Sequence, residues 1–161
     1  MNLPKKITLL VALAATLATS AFAELARSDK NFFEKAAKAG QKEVDISQQA
    51  LVHLTAPDVR NYAQMMVTDH TKANEELKAL AAQKGVVLPA DDYKAAQKWA
   101  KNDKDVDDEY LATMKDEHKN AIDLFEKAAK SGDADIAAFA QRTLPTLRHH
   151  LEAVKQLKKV N

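Results

Sequence analysis

YAQMMVTDHTKANEEL, residues 62–77, carries a histidine where an amphipathic helix should carry a core residue. Ala63, Met66, His70, Ala73, Leu77 and Leu80 recur in alternating steps of three and four, the spacing of one buried helical face. His70 sits in the middle of that face. The pattern returns in residues 110–125, YLATMKDEHKNAIDLF, where Tyr110, Met114, His118, Ala121 and Phe125 take the places of Tyr62, Met66, His70, Ala73 and Leu77. Two helices with matching Met-x-x-x-His stripes predict that they face a common interior.

Working outward, the 62–77 stretch lies in a predicted helix from Pro57 to Lys84. Proline suits its first turn and Gly85 suits the left-handed residue beyond its end. A preceding helix is expected over Asp29–Leu54, capped by Ser28, with the stripe Phe32, Ala36, Ala39, Glu43, Ile46, Ala50, His53. Its central residue, Glu43, is a carboxylate on an otherwise apolar line. A third helix is expected over Val106–Ser131, stopping at Gly132, and a fourth over Ala134–Lys158, capped by Asp133. The fourth stripe reads Ile136, Phe139 or Ala140, Leu144, Leu147, His150 or Leu151, Val154 and Leu157, with a kink expected at Pro145. Between the second and third helices runs the longest connection. Within it Asp91–Ala100 reads as a short helix carrying Tyr93, Ala96 and Trp99. Its length reaches along a whole bundle, which favours a crossover over a tight turn. The fold class is therefore all-α: a ferritin-like four-helix bundle with a long connection between helices 2 and 3.

Composition agrees. Only three glycines occur in 161 residues and cysteine is absent, so no disulfide and no thiolate metal site exist. At the N-terminus Lys5 and Lys6 precede an apolar run, Ile7–Leu17, too short to span a bilayer. Ala21-Phe22-Ala23 offers small residues for a peptidase. Residues 1–23 are expected to be a secretory signal peptide, leaving residues 24–161 as one bundle domain in the periplasm, with no transmembrane segment after cleavage. Of 24 basic and 23 acidic residues the leader holds two lysines, so the remaining chain is near neutral, with no basic excess to hold nucleic acid.

Glu43, His70, His118 and His150 each interrupt the apolar stripe of a different helix. At 1.5 Å per residue, Glu43 lies about 21 Å before Pro57 and His70 about 20 Å after it, so the two meet at one level. His118 lies about 21 Å before Gly132 and His150 about 27 Å after it, a mismatch of one turn. His149 is the alternative to His150. Three imidazoles and a carboxylate converging in a bundle core predict a site for one transition-metal ion: zinc, copper or iron. Asp69 and Glu117 precede their histidines and are candidates to orient an imidazole. Adjacent helical residues diverge by about 100°, which favours the solvated flank for both. Met66 and Met114 are expected to fill the core rather than ligate Cu(I), and Tyr62 and Tyr110 to pack at one end of the bundle. His53, at a helix end, receives no role.

VTDHTKAN (67–74), YLATMKDEH (110–118), LPTLRHHL (144–151) and the KGVVLP connection (84–89) resemble the bacterial exported family called domain of unknown function 4142. The resemblance implies a ferritin-like fold and export. It falls on Glu43, Asp69, His70, Asn74, His118, Leu144, Pro145 and His150, and favours His150 over His149. It implies no reaction. Di-iron chemistry is disfavoured by the residues themselves. Such centres use Glu-x-x-His on two helices, and three residues before His70, His118, His149 and His150 stand Val67, Lys115, Thr146 and Leu147. The leading expectation is metal binding or storage, or envelope stress protection. The alternatives are a small metalloenzyme with an open coordination position and a metal-free interaction module with structural or pH-sensing histidines.

Overall fold

A computed structural model of the chain describes residues 25–89 and 103–160, with side chains over 25–89 and 106–157. The expected signal peptide and the expected Asp91–Ala100 helix lie outside the described residues. Four helices form: α1 (Arg27–Ala50), α2 (Pro57–Gln83), α3 (Asp103–Ala128) and α4 (Ala134–Val160), and no strand is present among the described residues. None of these helices is long and apolar enough to cross a membrane.

The helix ends follow local chemistry. α2 begins with Pro57 in its first turn and ends in a Schellman arrangement. Val86 N–H reaches Ala81 O at 2.8 Å and Gly85 N–H reaches Ala82 O at 3.1 Å, with Gly85 at φ +68°. Asp133 caps α4 as expected, its Oδ1 accepting from the backbone of Asp135 (3.0 Å) and Ile136 (3.2 Å). The start of α1 differs from expectation. Its N-cap is Ala26, without a side-chain cap, and Ser28 lies in the first turn. Asp29 is buried there and accepts a hydrogen bond from Ser131 Oγ at 2.9 Å, docking the start of α1 onto the α3–α4 turn. α1 also stops four residues short of Leu54. Arg60 of α2 takes the carbonyls of Leu51 (2.7 Å) and Leu54 (3.0 Å), so the chain ends its helix against a cation rather than continuing it.

Helix α1 packs chiefly on α2 and α3 on α4, with α1 also against α3 and α2 against α4, so α2 and α3 sit diagonally. Two apolar layers fill the interior. One holds Phe32, Phe33, Phe125, Ile136 and Phe139; the other holds Ile46, Val59, Tyr62, Met66, Tyr110, Met114 and Val154. In the first, Phe125 meets Phe32 edge-on at 5.2 Å between ring centres. In the second, Tyr62 and Tyr110 meet at 6.2 Å. Both α2 and α3 thus run from the tyrosine layer toward the phenylalanine layer and are parallel. The connection between them links opposite ends of the bundle, the crossover expected from its length. The 14 steps from Pro89 to Asp103 reach about 45–50 Å when extended, against about 40 Å for a 27-residue helix.

The stripes explain the layers. All the predicted core positions of α4 from Ile136 to Val154 that face inward are buried, His150 among them, whereas His149 is exposed. In α1 the buried face departs from the predicted line: Ala39 is only half-buried and His53, beyond the helix end, is exposed, whereas Phe33, Gly40, Val44 and Ser47 are buried. Gly40 marks the closest approach of α1 and α2: a Cβ built there would meet Asn74 Oδ1 at 2.0 Å. The helix α4 is continuous across Pro145, which lies on its exposed side.

Candidate metal centre

Glu43, His70, His118 and His150 come together between the two apolar layers, each nearly inaccessible to solvent. The three histidine rings stand 5.2–5.4 Å apart, centre to centre. The turn of mismatch counted for His150 is present in the backbone. Tyr62, two turns before His70, donates its hydroxyl to the His150 carbonyl at 3.3 Å. Side-chain direction closes the gap. Helical side chains lean toward the N-terminus of their own helix. In α4 that is the phenylalanine end, and in α2 and α3 it is the tyrosine end, so His150 leans to meet His70 and His118.

Each ring has one nitrogen held by an acceptor that carries no proton of its own. His70 Nδ1 faces Glu43 Oε2 at 2.9 Å, His118 Nδ1 faces the Met114 carbonyl at 2.8 Å, and His150 Nε2 faces Asp69 Oδ2 at 2.8 Å. A carbonyl or a carboxylate can only accept, so these three nitrogens carry the N–H in the neutral rings. The other nitrogens, His70 Nε2, His118 Nε2 and His150 Nδ1, present their lone pairs to one another. His118 Nε2 lies 3.4 Å from His70 Nε2 and 3.2 Å from His150 Nδ1. All three atoms fall within 4.8 Å of one another, so together they could hold a metal ion. Ligands at about 2.0–2.1 Å from a tetrahedral zinc are separated by about 3.3–3.4 Å, close to the two distances that His118 Nε2 makes.

Glu43 stands on the other side of the rings from this convergence. Oε2 accepts from His70, and Oε1 lies 3.6 Å from His118 Nδ1, whose proton is committed to Met114. Oε1 has no hydrogen-bond partner although it is buried. Burial works against ionising this carboxyl, but His70, reinforced by His118 and His150, holds it below the usual carboxylate range. Burial likewise opposes a charge on His70, and Glu43 overrides it, raising His70 above the ordinary imidazole value. Burial prevails at the other two. His118 is lowered, and His150 falls to about 4 despite its hydrogen bond to Asp69. At neutral pH two of the three rings are therefore neutral and available as ligands.

Asp69 was expected on the solvated flank. Its carboxylate is 38% exposed, and it nevertheless reaches across to His150 of α4. The 100° divergence only rules out Asp69 as a partner of its own neighbour, His70. Glu117 does lie on the flank, paired with Lys42 at 2.6 Å. Met66 and Met114 are fully buried in the tyrosine layer, with Met114 Sδ 3.9 Å from Ser47 Oγ. Tyr110 is hydrogen-bonded to Ser47 at 2.9 Å, and burial pushes the hydroxyls of both tyrosines upward, so they stay protonated. The periodicity missed Ser47. The Met114 carbonyl was implicit in the i−4 spacing, since a helical histidine can turn Nδ1 back to that carbonyl.

Fold and site together define an all-α bundle with a polar layer of three histidines and a carboxylate between two apolar layers. The chain belongs to the family described as domain of unknown function 4142, whose model matches residues 14–157. A solved fragment of a domain-of-unknown-function 305 protein from Deinococcus radiodurans is similar in structure, with a TM-score of 0.69 at 10% sequence identity, covering 83% of this chain and 96% of that one. At that identity the likeness concerns the fold alone. No curated protein matches the chain.

Proposed function

We propose that this is an exported, periplasmic protein that binds one transition-metal ion in the bundle core through His70 Nε2, His118 Nε2 and His150 Nδ1. Its role is metal binding or storage, or protection of the envelope under stress. One observation carries the reading: His118 Nε2 lies 3.4 Å from His70 Nε2 and 3.2 Å from His150 Nδ1, while the opposite nitrogen of each ring is held by Glu43, the Met114 carbonyl or Asp69. Metal-ligating histidines are fixed in this way by acceptors behind them. Without a cation or an added proton the lone pairs repel. Glu43 fits this scheme better as the acceptor that orients His70 than as a fourth ligand, because its oxygens face the Nδ1 atoms. The nitrogen set suits zinc, copper, iron or nickel over magnesium or calcium. The apolar run and Ala21-Phe22-Ala23 support export.

Elemental analysis of the protein purified without a histidine tag tests the proposal, alongside a His70→Ala/His118→Ala variant. About one equivalent of metal, bound by the native protein and lost in the variant, is expected. No metal in either protein, and none taken up from zinc, copper or iron salts, overturns it. The Glu43–His70 ion pair favours one competing reading, a metal-free bundle with a proton held between His70 Nε2 and His118 Nε2. In that case a chelator leaves the melting temperature unchanged.

A further inference from the structure

The trio is enclosed differently on its two sides. Toward one end stand Met66, Met114 and the two tyrosines, all fully or almost fully buried. Toward the other lies a cavity of about 40 Å³ whose lining includes Glu43, His70, His150, Ala36, Ala73 and Ala121. Alanines one turn from the site keep this space open. Ala73 follows His70 by three residues and Ala121 follows His118 by three, so a larger side chain at either position would enter it. The volume exceeds the roughly 10–15 Å³ a single water needs. Glu43 Oε1, buried and without a partner, belongs to a residue of this lining and calls for a donor.

We infer that the cavity is the compartment of an exchangeable fourth ligand: water that completes the coordination of a metal held by the three histidines. This rests on the metal reading of the trio. Three protein nitrogens leave one corner of a tetrahedron for a solvent molecule, the arrangement of open rather than closed metal sites.

The test is electron-nuclear double resonance on the Cu(II)-loaded protein in water enriched in oxygen-17. Nitrogen couplings from three imidazoles report the trio, and an oxygen-17 coupling reports bound water. Both are expected in the native protein. Ala73→Val and Ala121→Val should keep the nitrogen couplings and lose the oxygen coupling, since each fills the cavity. Nitrogen couplings without oxygen coupling in the native protein overturn this inference alone. Absence of the three-nitrogen pattern overturns the metal reading as well. An oxygen coupling that survives undiminished in both valine variants places the water elsewhere and overturns the assignment of the cavity.

Discussion

Behind each of the three imidazoles stands an acceptor, and the acceptors differ in kind. The Met114 carbonyl belongs to the helix itself, Glu43 is buried, and Asp69 is part-exposed. Asp69 is therefore the member that can be removed with least disturbance of the core. Asp69→Ala should weaken metal binding about 10–100-fold, as loss of an orienting partner does elsewhere, while moving the metal-free melting temperature little. Titration calorimetry of both proteins checks this, and unchanged affinity would remove His150 from the ligand set. Protonation gives a second expectation for the metal-free protein. His118 and His150 are lowered on folding, His150 to about 4, so between about 4 and the ordinary imidazole value near 6.5 the unfolded chain binds more protons. Stability from these two is present above that window and lost as pH falls through it. His70 is raised and Glu43 lowered. The His70 contribution runs the other way, present below about 6.5 and lost as pH rises through its folded value, while that of Glu43 is lost only at lower pH. With two lowered rings against one raised, thermal melts should show a lower transition at pH 5 than at pH 7, and His150→Gln should shrink the difference. Little of this was legible from the chain. Stripe periodicity placed Glu43, His70, His118 and His150 in the core, but a one-dimensional pattern ranks Asp69 only against its own helix, and its partner is on another.

Among the elements, the α1–α2 turn is the segment whose order depends on a remote helix. Asp107, in the first turns of α3, accepts from Thr55 N–H (3.0 Å), Thr55 Oγ1 (2.6 Å) and Ala56 N–H (3.0 Å). The backbone donors at the start of α2 are thus satisfied by a carboxylate fifty residues away, where its negative charge also suits a helix N-terminus. Asp107→Ala should cost about 2–3 kcal/mol, since it strips hydrogen bonds to a charged acceptor and leaves two backbone N–H groups without it. Urea melts would measure the loss, and a change below about 0.5 kcal/mol would mean that water replaces the carboxylate. Helix existence and type were readable from period and punctuation: Pro57, Gly85 and Asp133 each act as their residue types require. The start and end of α1 were not, because Asp29 answers to Ser131 and Arg60 to Leu51 and Leu54, and tertiary partners of this sort outrank a local cap such as Ser28.

Across the whole molecule, the parallel course of α2 and α3 brings His70 and His118 to one level, and the opposite lean of α4 side chains brings His150 to meet them. Counting residues from the turns located the level to within one helical turn; the lean of side chains, which a count of Cα positions omits, supplies the rest. The polar layer lies between two apolar layers, each with its own buried aromatic residues. A metal bound there, as proposed, would be added to a bundle that has cores on both sides of it, and removing the ion should lower stability without abolishing the fold. Free metal at about 100 times its dissociation constant adds about 2.7 kcal/mol to a protein that binds only when folded. For a domain of this size that corresponds to a rise of roughly 5–15 °C in melting temperature. The rise should vanish in His118→Ala, which removes the ring shared by both short nitrogen–nitrogen distances. Circular dichroism of the chelator-treated protein should retain its helical signal at 25 °C. If that signal is lost on chelation, the two apolar layers are insufficient alone and the ion is a folding ligand; if neither the signal nor the melting temperature responds to metal, the histidines are held by a proton.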